Sequence, residues 1–377
     1  MKIAQVSPYD YTYPGGVTAH IYHLKQHLVG LGHEVKIIAP CTRGRSTYLN
    51  EDVIAIGGRP FPYPSGGSIA RIDLSVNSFG KVNEVLRSEK FDIVHIHEPF
   101  TPTISLAAMI YSRSMTVGTF HAYHSKPRGY FIWKPILSRL LPRLDAKIAV
   151  SNPARDFVGR HLKADYRIIP NGIDVDCFSA PADPLEQFKD GKFNILFVGR
   201  LEKRKGFDCL LKAYARVRCQ FRDVRLIIVG PGSRLRHKYE RYIRKQGITD
   251  IVFAGYVSAE ELPRYYAAAD VFCAPANGGE SFGIVLLEAM ASGTPVVATR
   301  IPGYSSVVTE GEDCILVPPR DDEAMSRALI NLIADPSMGK RLSANGRKTA
   351  EDYRWEHVTQ QVVDVYNELL DGKGRRG

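Results

Sequence analysis

The chain has 377 residues, 44% hydrophobic and 24% charged, with 50 Lys and Arg against 40 Asp and Glu. That length exceeds what one growing core accommodates and favours two α/β-sized domains, while the composition excludes a disordered or low-complexity chain. The formal charge of +10 fits a nucleic acid, an anionic membrane or a polyanionic substrate; with no RNA- or DNA-binding signature, nucleic acid is not expected as a partner.

Met-Lys-Ile-Ala-Gln-Val-Ser at the N-terminus reads as a first β-strand and lacks the apolar core of a secretory signal. No window supplies the roughly 18 apolar residues of a membrane span. The expected location is therefore the cytoplasm, with any membrane contact peripheral and on the inner face. Strand-like runs at Ile3 to Ser7, Val35 to Ala39, Val53 to Ile56, Asp92 to His97, Met115 to Phe120 and Lys147 to Ser151 alternate with helical patterns. The first helix is marked by Val17, Ile21, Leu24, Leu28 and Leu31, with Gly32 at the capping position. From about Gly172 to Asp190 the pattern lapses into a Pro- and Asp-rich stretch expected to be a linker over 173–190. Further strand-like runs follow at Ile195 to Gly199, Leu226 to Gly230, Ile251 to Ala254, Val271 to Ala274, Val296 to Thr299 and Ile315 to Val317. The expected architecture is α/β, with two doubly wound, Rossmann-like domains facing an interdomain cleft. Their expected bounds are 1–172 and 191–352, and a helix at about 353–371 crosses back to complete the first. Six scattered cysteines form no CxxC and have no His at metal spacing, so they read as reduced thiols.

Gly15 and Gly16 stand where the first strand leads into its helix. Free N–H groups and the helix dipole there suit a phosphate, and the alternative is a turn that uses glycine for positive φ. Arg200, Lys203, Arg204 and Lys205 follow directly on the strand at Ile195 to Val198. Cations beyond a strand's carboxyl end make a diphosphate clamp, against the alternative of a solvated basic loop. Gly278-Gly279-Glu280-Ser281-Phe282-Gly283 reads as a glycine loop that enters a helix carrying Glu288 and stopped by Gly293. Either carboxylate can accept hydrogen bonds from sugar or ribose hydroxyls. Asp174-Val175-Asp176 spells a DxD string, but it follows Pro170-Asn171-Gly172 and reads as a turn; no metal site is expected.

With Tyr13-Pro-Gly-Gly-Val17, His95-Ile-His-Glu-Pro99, Thr119-Phe-His121, Ile169-Pro-Asn-Gly-Ile-Asp174 and the Gly199-Arg200 and Lys205-Gly206 pairs in this order, nearly the whole chain resembles the family 4 retaining glycosyltransferases of GT-B fold. The resemblance implies a metal-independent hexosyltransferase that needs no cofactor and takes a GDP- or UDP-sugar as co-substrate. It implies donor contacts from Gly15, Gly16, Arg200, Lys205, Glu280, Ser281, Phe282, Gly283 and Glu288. Glu280 would hold the hexose and Glu288 the ribose, and His121 would face the sugar, so that His121, Arg200, Lys205 and Glu280 carry the reaction. The lack of an obvious carboxylate nucleophile points to front-face transfer with retention, in which the departing phosphate takes the acceptor's proton.

Within the family the chain is most similar to the bacterial branch that moves mannose from GDP-mannose to phosphatidyl-myo-inositol. That implies acceptor contacts from Thr18, Tyr63, Arg71 and Lys126, although Thr18 and Phe100 replace a Gln and an Asn of the branch. The base-reading loop at Gly255-Tyr-Val-Ser differs too, which leaves GDP and UDP both open. The segment from Lys126 to Arg143 mixes aromatics, leucines and cations, as an interfacial helix on an anionic membrane does; the alternative is a core helix with a basic solvent face. A sugar-nucleotide epimerase on the same scaffold and a non-enzymatic sugar-nucleotide sensor are the competing classes. The first has no use for the basic aromatic segment and the second none for His121.

Overall fold

A computed structural model describes residues 1–374 apart from 14, 43–50, 58–59, 66–67, 124–127, 181–182, 184 and 233; the side chains of 63–65, 68–69, 128–132, 234 and 373–374 are likewise outside the description. Contacts between backbone positions divide the chain into two compact units, Met1–Gly172 with Trp355–Gly377, and Ile173–Arg354.

In chain order the first unit holds β1 (Lys2–Val6), α1 (Gly16–Gly30), β2 (Glu34–Ala39), β3 (Val53–Ala55), β4 (Phe61–Ser65), β5 (Ser68–Ile72), α2 (Asn77–Glu89), β6 (Ile93–His97), α3 (Ile104–Tyr111), β7 (Met115–Phe120), α4 (Arg128–Leu140), β8 (Ala146–Ala149), α5 (Asn152–Gly159) and β9 (Arg167–Ile168). Seven parallel strands lie in the order β3-β2-β1-β6-β7-β8-β9. Side-chain alternation assigns each strand to two cores. Ile3, Ile93, Val117 and Ile148 pack with Leu24 and Leu28 of α1, while Ala4, Val6, Val94 and Ile96 pack with Ala107 and Ala108 of α3. Beside the sheet, β4 and β5 form an antiparallel ribbon.

The second unit runs α6 (Val175–Ser179), β10 (Phe193–Val198), α7 (Phe207–Gln220), β11 (Val224–Val229), α8 (Arg234–Gln246), β12 (Ile251–Gly255), α9 (Leu262–Ala267), β13 (Val271–Ala274), α10 (Ile284–Ala291), β14 (Val296–Thr299), α11 (Pro302–Ser305), β15 (Cys314–Val317), α12 (Asp322–Ala334) and α13 (Pro336–Glu351). Its six parallel strands are ordered β12-β11-β10-β13-β14-β15, the doubly wound Rossmann order. Finally α14 (Trp355–Gly374) belongs to the first unit, where Trp355, Val358, Val362 and Tyr366 join the α1 side of its core.

The stretch read from sequence as a linker is built differently. Ile173, Val175 and Phe188 are buried in the second unit's core, and Asp174 caps α6 by accepting a hydrogen bond from the Cys177 backbone N–H at 3.0 Å. Asp176 pairs with Arg354 at 3.0 Å, so the DxD string is a helix start and not a free turn.

Candidate functional site

In each parallel sheet the strand order reverses at one place, between β1 and β6 and between β10 and β13. Chains leaving the two strands there turn to opposite faces and leave a crevice at the carboxyl ends, where α/β proteins hold ligands. Gly15, Gly16 and His97 in the first unit and Arg200 to Lys205 with the glycine loop in the second emerge at these reversals, and His121 emerges one strand over, from β7.

In the second unit, β10 ends at Val198 and runs through Gly199 to a short 3-10 turn at Lys203–Lys205, and β13 ends at Ala274 and leads to the glycine loop. The loops are tied together: the Asn277 backbone N–H donates to the Arg204 carbonyl at 2.7 Å, and its side-chain amide donates to the Lys203 carbonyl at 3.0 Å. Two charged side chains then converge on one oxygen of Glu280, Arg204 Nη1 at 2.5 Å and Lys205 Nζ at 2.7 Å from Oε1. Arg204 also contacts Glu202 Oε2 at 2.9 Å. Burial pushes the Glu280 pKa up, but Lys205 and Arg204 outweigh it and hold the carboxyl ionised below its ordinary range. Among the described residues none donates to its Oε2.

Glu288, on α10, accepts a hydrogen bond from the Tyr266 hydroxyl at 2.7 Å. Burial raises its pKa, against the opposing pull of that bond and of Lys205. It is a half-buried group of the site and not a solvated helix-surface carboxylate. Phe282 is 4% exposed and packs edge-on against Tyr353, so its side chain serves the core. Gly283 lies at φ 104 immediately before α10. Ser281 is half-buried in the loop, and Arg200 is exposed just past the end of β10.

In the first unit, Gly15 caps α1 at φ −165 and Gly16 opens it. Neither residue has the positive φ of the turn alternative, and a Cβ on Gly16 would meet nothing within 4 Å. The Thr18 hydroxyl donates to the Gly15 carbonyl at 2.9 Å, which braces the loop and leaves the oxygen's lone pairs as acceptors. Arg71 lies over the Tyr13 ring at 3.9 Å. Tyr63 pairs with Ala70 in the β4–β5 ribbon, its side chain outside the described atoms, and Lys126 lies outside the described residues.

His121 follows β7 and is 8% exposed. Its Nε2 is 2.9 Å from His97 Nδ1, and His97 Nε2 is 2.7 Å from Gln5 Oε1. Gln5 Nε2 donates to the Tyr366 hydroxyl at 3.2 Å, and that hydroxyl lies 2.6 Å from His95 Nδ1. Gln5, His95, His97 and Thr119 continue toward the carboxyl ends the strand face that Ile3, Ile93 and Val117 start, which is how alternation gathers them under α1 and α14. His20 of α1 sits edge-on to His121 at 4.8 Å between ring centroids. Burial first, then the neighbouring imidazoles, pushes His97 and His121 well below the ordinary histidine pKa, so both are neutral at pH 7. Glu98 Oε1 accepts the backbone N–H groups of His121 and Ala122 at 2.6 and 2.7 Å and fixes the loop after β7; burial raises its pKa to about 7.

Among the described residues, His20, His97 and His121 are the one group whose nitrogens, all within 4.8 Å, suit a metal ion. The 2.9 Å between His97 and His121 is a hydrogen-bond separation; two nitrogens at about 2.0–2.1 Å from one tetrahedral ion lie further apart. Sequence reasoning placed His121 and Glu280 but missed Arg204 as the partner of Glu280, and Gln5, His97 and Glu98 as the setting of His121. The legible signals were the His95-Ile-His-Glu-Pro99 string and a cation next to Lys205.

The model of the group 1 glycosyl transferases matches residues 183–349, and that of glycosyltransferase family 4 matches residues 14–177. The chain is 35% identical over 379 residues to the phosphatidyl-myo-inositol mannosyltransferase of Mycolicibacterium smegmatis, covering 99% of this chain and 95% of that one. Among solved structures it is similar to the sucrose-phosphate synthase of Thermosynechococcus elongatus (TM-score 0.80, 22% identity, 98% and 99% of the chains). It is also similar to Anabaena HepE in complex with UDP and glucose (TM-score 0.77, 19% identity, 98% and 100%). With two Rossmann-like units and relatives of this identity over nearly its full length, the chain belongs to the family 4 glycosyltransferases and has their GT-B fold.

Proposed function

We propose that this glycosyltransferase moves mannose from GDP-mannose to phosphatidyl-myo-inositol or a closely similar anionic lipid, with retention and without a metal ion or other cofactor. The observation that carries the donor half is the assembly at the second unit's strand reversal, where Lys205 and Arg204 hold an ionised Glu280 by one oxygen and no described residue donates to the other. A carboxylate so held accepts hydrogen bonds from two adjacent hydroxyls of a hexose, and the cations beside it neutralise a diphosphate leaving group. Gly15 and Gly16 take a donor phosphate at the start of α1, Arg200 with Lys205 takes the diphosphate, and Glu288 takes the ribose. The Ser281 and Gly283 backbone lines the same loop. His121 meets the transferred sugar.

Charge that develops on the departing phosphate oxygen is stabilised by Arg200 and Lys205. That oxygen takes the proton of the attacking hydroxyl on the same face, so no protein nucleophile is required and configuration is kept. The acceptor half is supported by the name of the relatives and by α4. Trp133 and Ile136 stand 57% and 47% exposed there, beside exposed Lys134 and Arg139, while Leu137 anchors the helix in the core. No described helix is long and apolar enough to cross a membrane, and this amphipathic face suits lying on the inner leaflet among anionic headgroups. Thr18, Arg71, Tyr63 and Lys126 supply acceptor contacts.

The test is a donor and acceptor matrix read by mass spectrometry: GDP-mannose, UDP-glucose and UDP-GlcNAc, each with phosphatidylinositol vesicles or phosphatidylcholine vesicles, in EDTA. Mannose appearing on phosphatidylinositol only from GDP-mannose, with no loss in EDTA, is the expected result. Transfer from a UDP-sugar alone, or indifference to the vesicle lipid, overturns the donor or the acceptor assignment respectively.

A further inference from the structure

We propose that Gln5 and His97 are positioning residues that lock His121 in one neutral tautomer, with the proton on Nε2 and the bare Nδ1 turned outward to accept a hydrogen bond from a hydroxyl of the transferred sugar. The proposal rests on the sugar-transfer reading for its substrate, and on the side-chain network alone for its direction.

The direction follows from one amide. Gln5 Nε2 can only donate, and it lies 3.2 Å from the Tyr366 hydroxyl; Gln5 Oε1 can only accept, and it lies 2.7 Å from His97 Nε2. His97 must therefore carry its proton on Nε2. Being neutral, it has a lone pair on Nδ1, and the nitrogen 2.9 Å from that lone pair, His121 Nε2, must be protonated. His121 is neutral too, so its remaining nitrogen, Nδ1, is an acceptor. Among the described residues that atom has no partner, and it is not one of the fully buried unpaired atoms, whereas His20 Nδ1 beside it is. On the other side the order is consistent: the Tyr366 hydroxyl receives from Gln5 and donates to His95 Nδ1, and His95 Nε2 donates to Thr119 Oγ1 at 2.6 Å.

Reversing the amide would reverse every donor in the chain and turn His121 Nδ1 into a donor. Gln5 is thus the residue whose orientation decides what the protein offers the substrate. The titratable groups packed around His121 are His20 of α1, His95, His97 and Glu98 of the β6 side, and Tyr366 of α14.

The experiment has two readouts on the full chain. NMR of the histidine ring nitrogens in isotope-labelled protein, with the His121 signals assigned by their loss in His121→Gln, reads the tautomer without any substrate. It should show Nε2 protonated and Nδ1 bare in the wild type, and a tautomer mixture in Gln5→Leu. Kinetics should then show kcat reduced about tenfold or more in His97→Leu with donor KM little changed, and largely rescued in His97→Asn, whose amide oxygen can replace the Nδ1 acceptor. In Gln5→Glu the carboxylate beside His97 should move the acid limb of the pH profile of kcat to higher pH. Nδ1 protonated in the wild type, or a tautomer unmoved by Gln5→Leu, overturns the proposal even for a protein that turns over no tested donor. Equal losses in His97→Leu and His97→Asn with the expected tautomer intact overturn its catalytic part and leave the donor reading standing.

Discussion

Glu280 was legible as a candidate because its glycine loop and its spacing from Glu288 stand out in the sequence. What binds it was not legible, since four cations of one short run compete for the role and only the folded loops choose Arg204 and Lys205. Truncating Arg204 removes a 2.5 Å charged contact to Glu280 and a second to Glu202, which leaves two carboxylates near a single lysine. Arg204→Ala is therefore expected to lower kcat/KM about 10- to 100-fold, and Glu280→Gln by at least as much, because the amide cannot offer two acceptor lone pairs at full charge. Steady-state rates with the donor identified by the vesicle assay check this. A change under threefold in Arg204→Ala would show that Lys205 alone holds the carboxylate.

At the scale of elements, two glycines of similar sequence prominence separate cleanly. Gly206 sits at φ 67 between the 3-10 turn and α7, and a Cβ there would lie 1.8 Å from the Pro275 carbonyl oxygen, a backbone atom that cannot yield cheaply. Gly16 opens α1 with nothing within 4 Å of a Cβ. Gly206→Ala should cost roughly 2 kcal/mol or more of folding stability, by strain at a left-handed position and by collision. Gly16→Ala should leave the melting temperature of the unliganded protein unchanged or slightly higher, since alanine is the better helix former, while raising donor KM at least about tenfold. Melting curves and donor titrations of the two variants decide it; a Gly16→Ala protein with normal donor KM would remove the phosphate from this helix start. The β4–β5 ribbon escaped the sequence because Phe61-Pro-Tyr-Pro reads as a strand breaker, and its prolines are tolerated only because the ribbon stands outside the main sheet. The stretch at 173–190 looked like a linker for a similar reason. Its few apolar residues have no period, yet Ile173, Val175 and Phe188 find a core to enter.

Across the molecule, burial of four imidazoles in one unit sets how stability depends on pH. His20 and His95 are pushed down to about 4 and about 3, and His97 and His121 well below the ordinary 6.5, with desolvation as the first cause in each. Depressed pKa values mean that the unfolded chain binds protons below pH 6.5 that the native chain refuses. The stability they contribute is present above that pH and lost as pH falls toward 4, by about 1.4 kcal/mol per pH unit for each proton. Glu98 works in the opposite sense. Its pKa is raised from 4.5 to about 7, so the native state keeps a proton that the unfolded state releases, and its contribution is lost as pH rises through that window. Four groups outweigh one, and the melting temperature is expected to fall from pH 7 to pH 5, more steeply in Glu98→Gln; calorimetry that finds a flat or rising profile would contradict the neutral histidine cluster.

The sequence by itself determined the α/β class, nearly every strand of the two parallel sheets and the glycine loop that carries Glu280, because those are written in local period, in glycine placement and in residue type. Tertiary structure alone decided which cations meet Glu280, that Ile173, Val175 and Phe188 enter a core, and that Gln5, His95, His97 and His121 form one directed chain of hydrogen bonds. These last residues come from three separate strands. Their meeting depends on strand order and parallel register, which long-range packing fixes and no local pattern encodes.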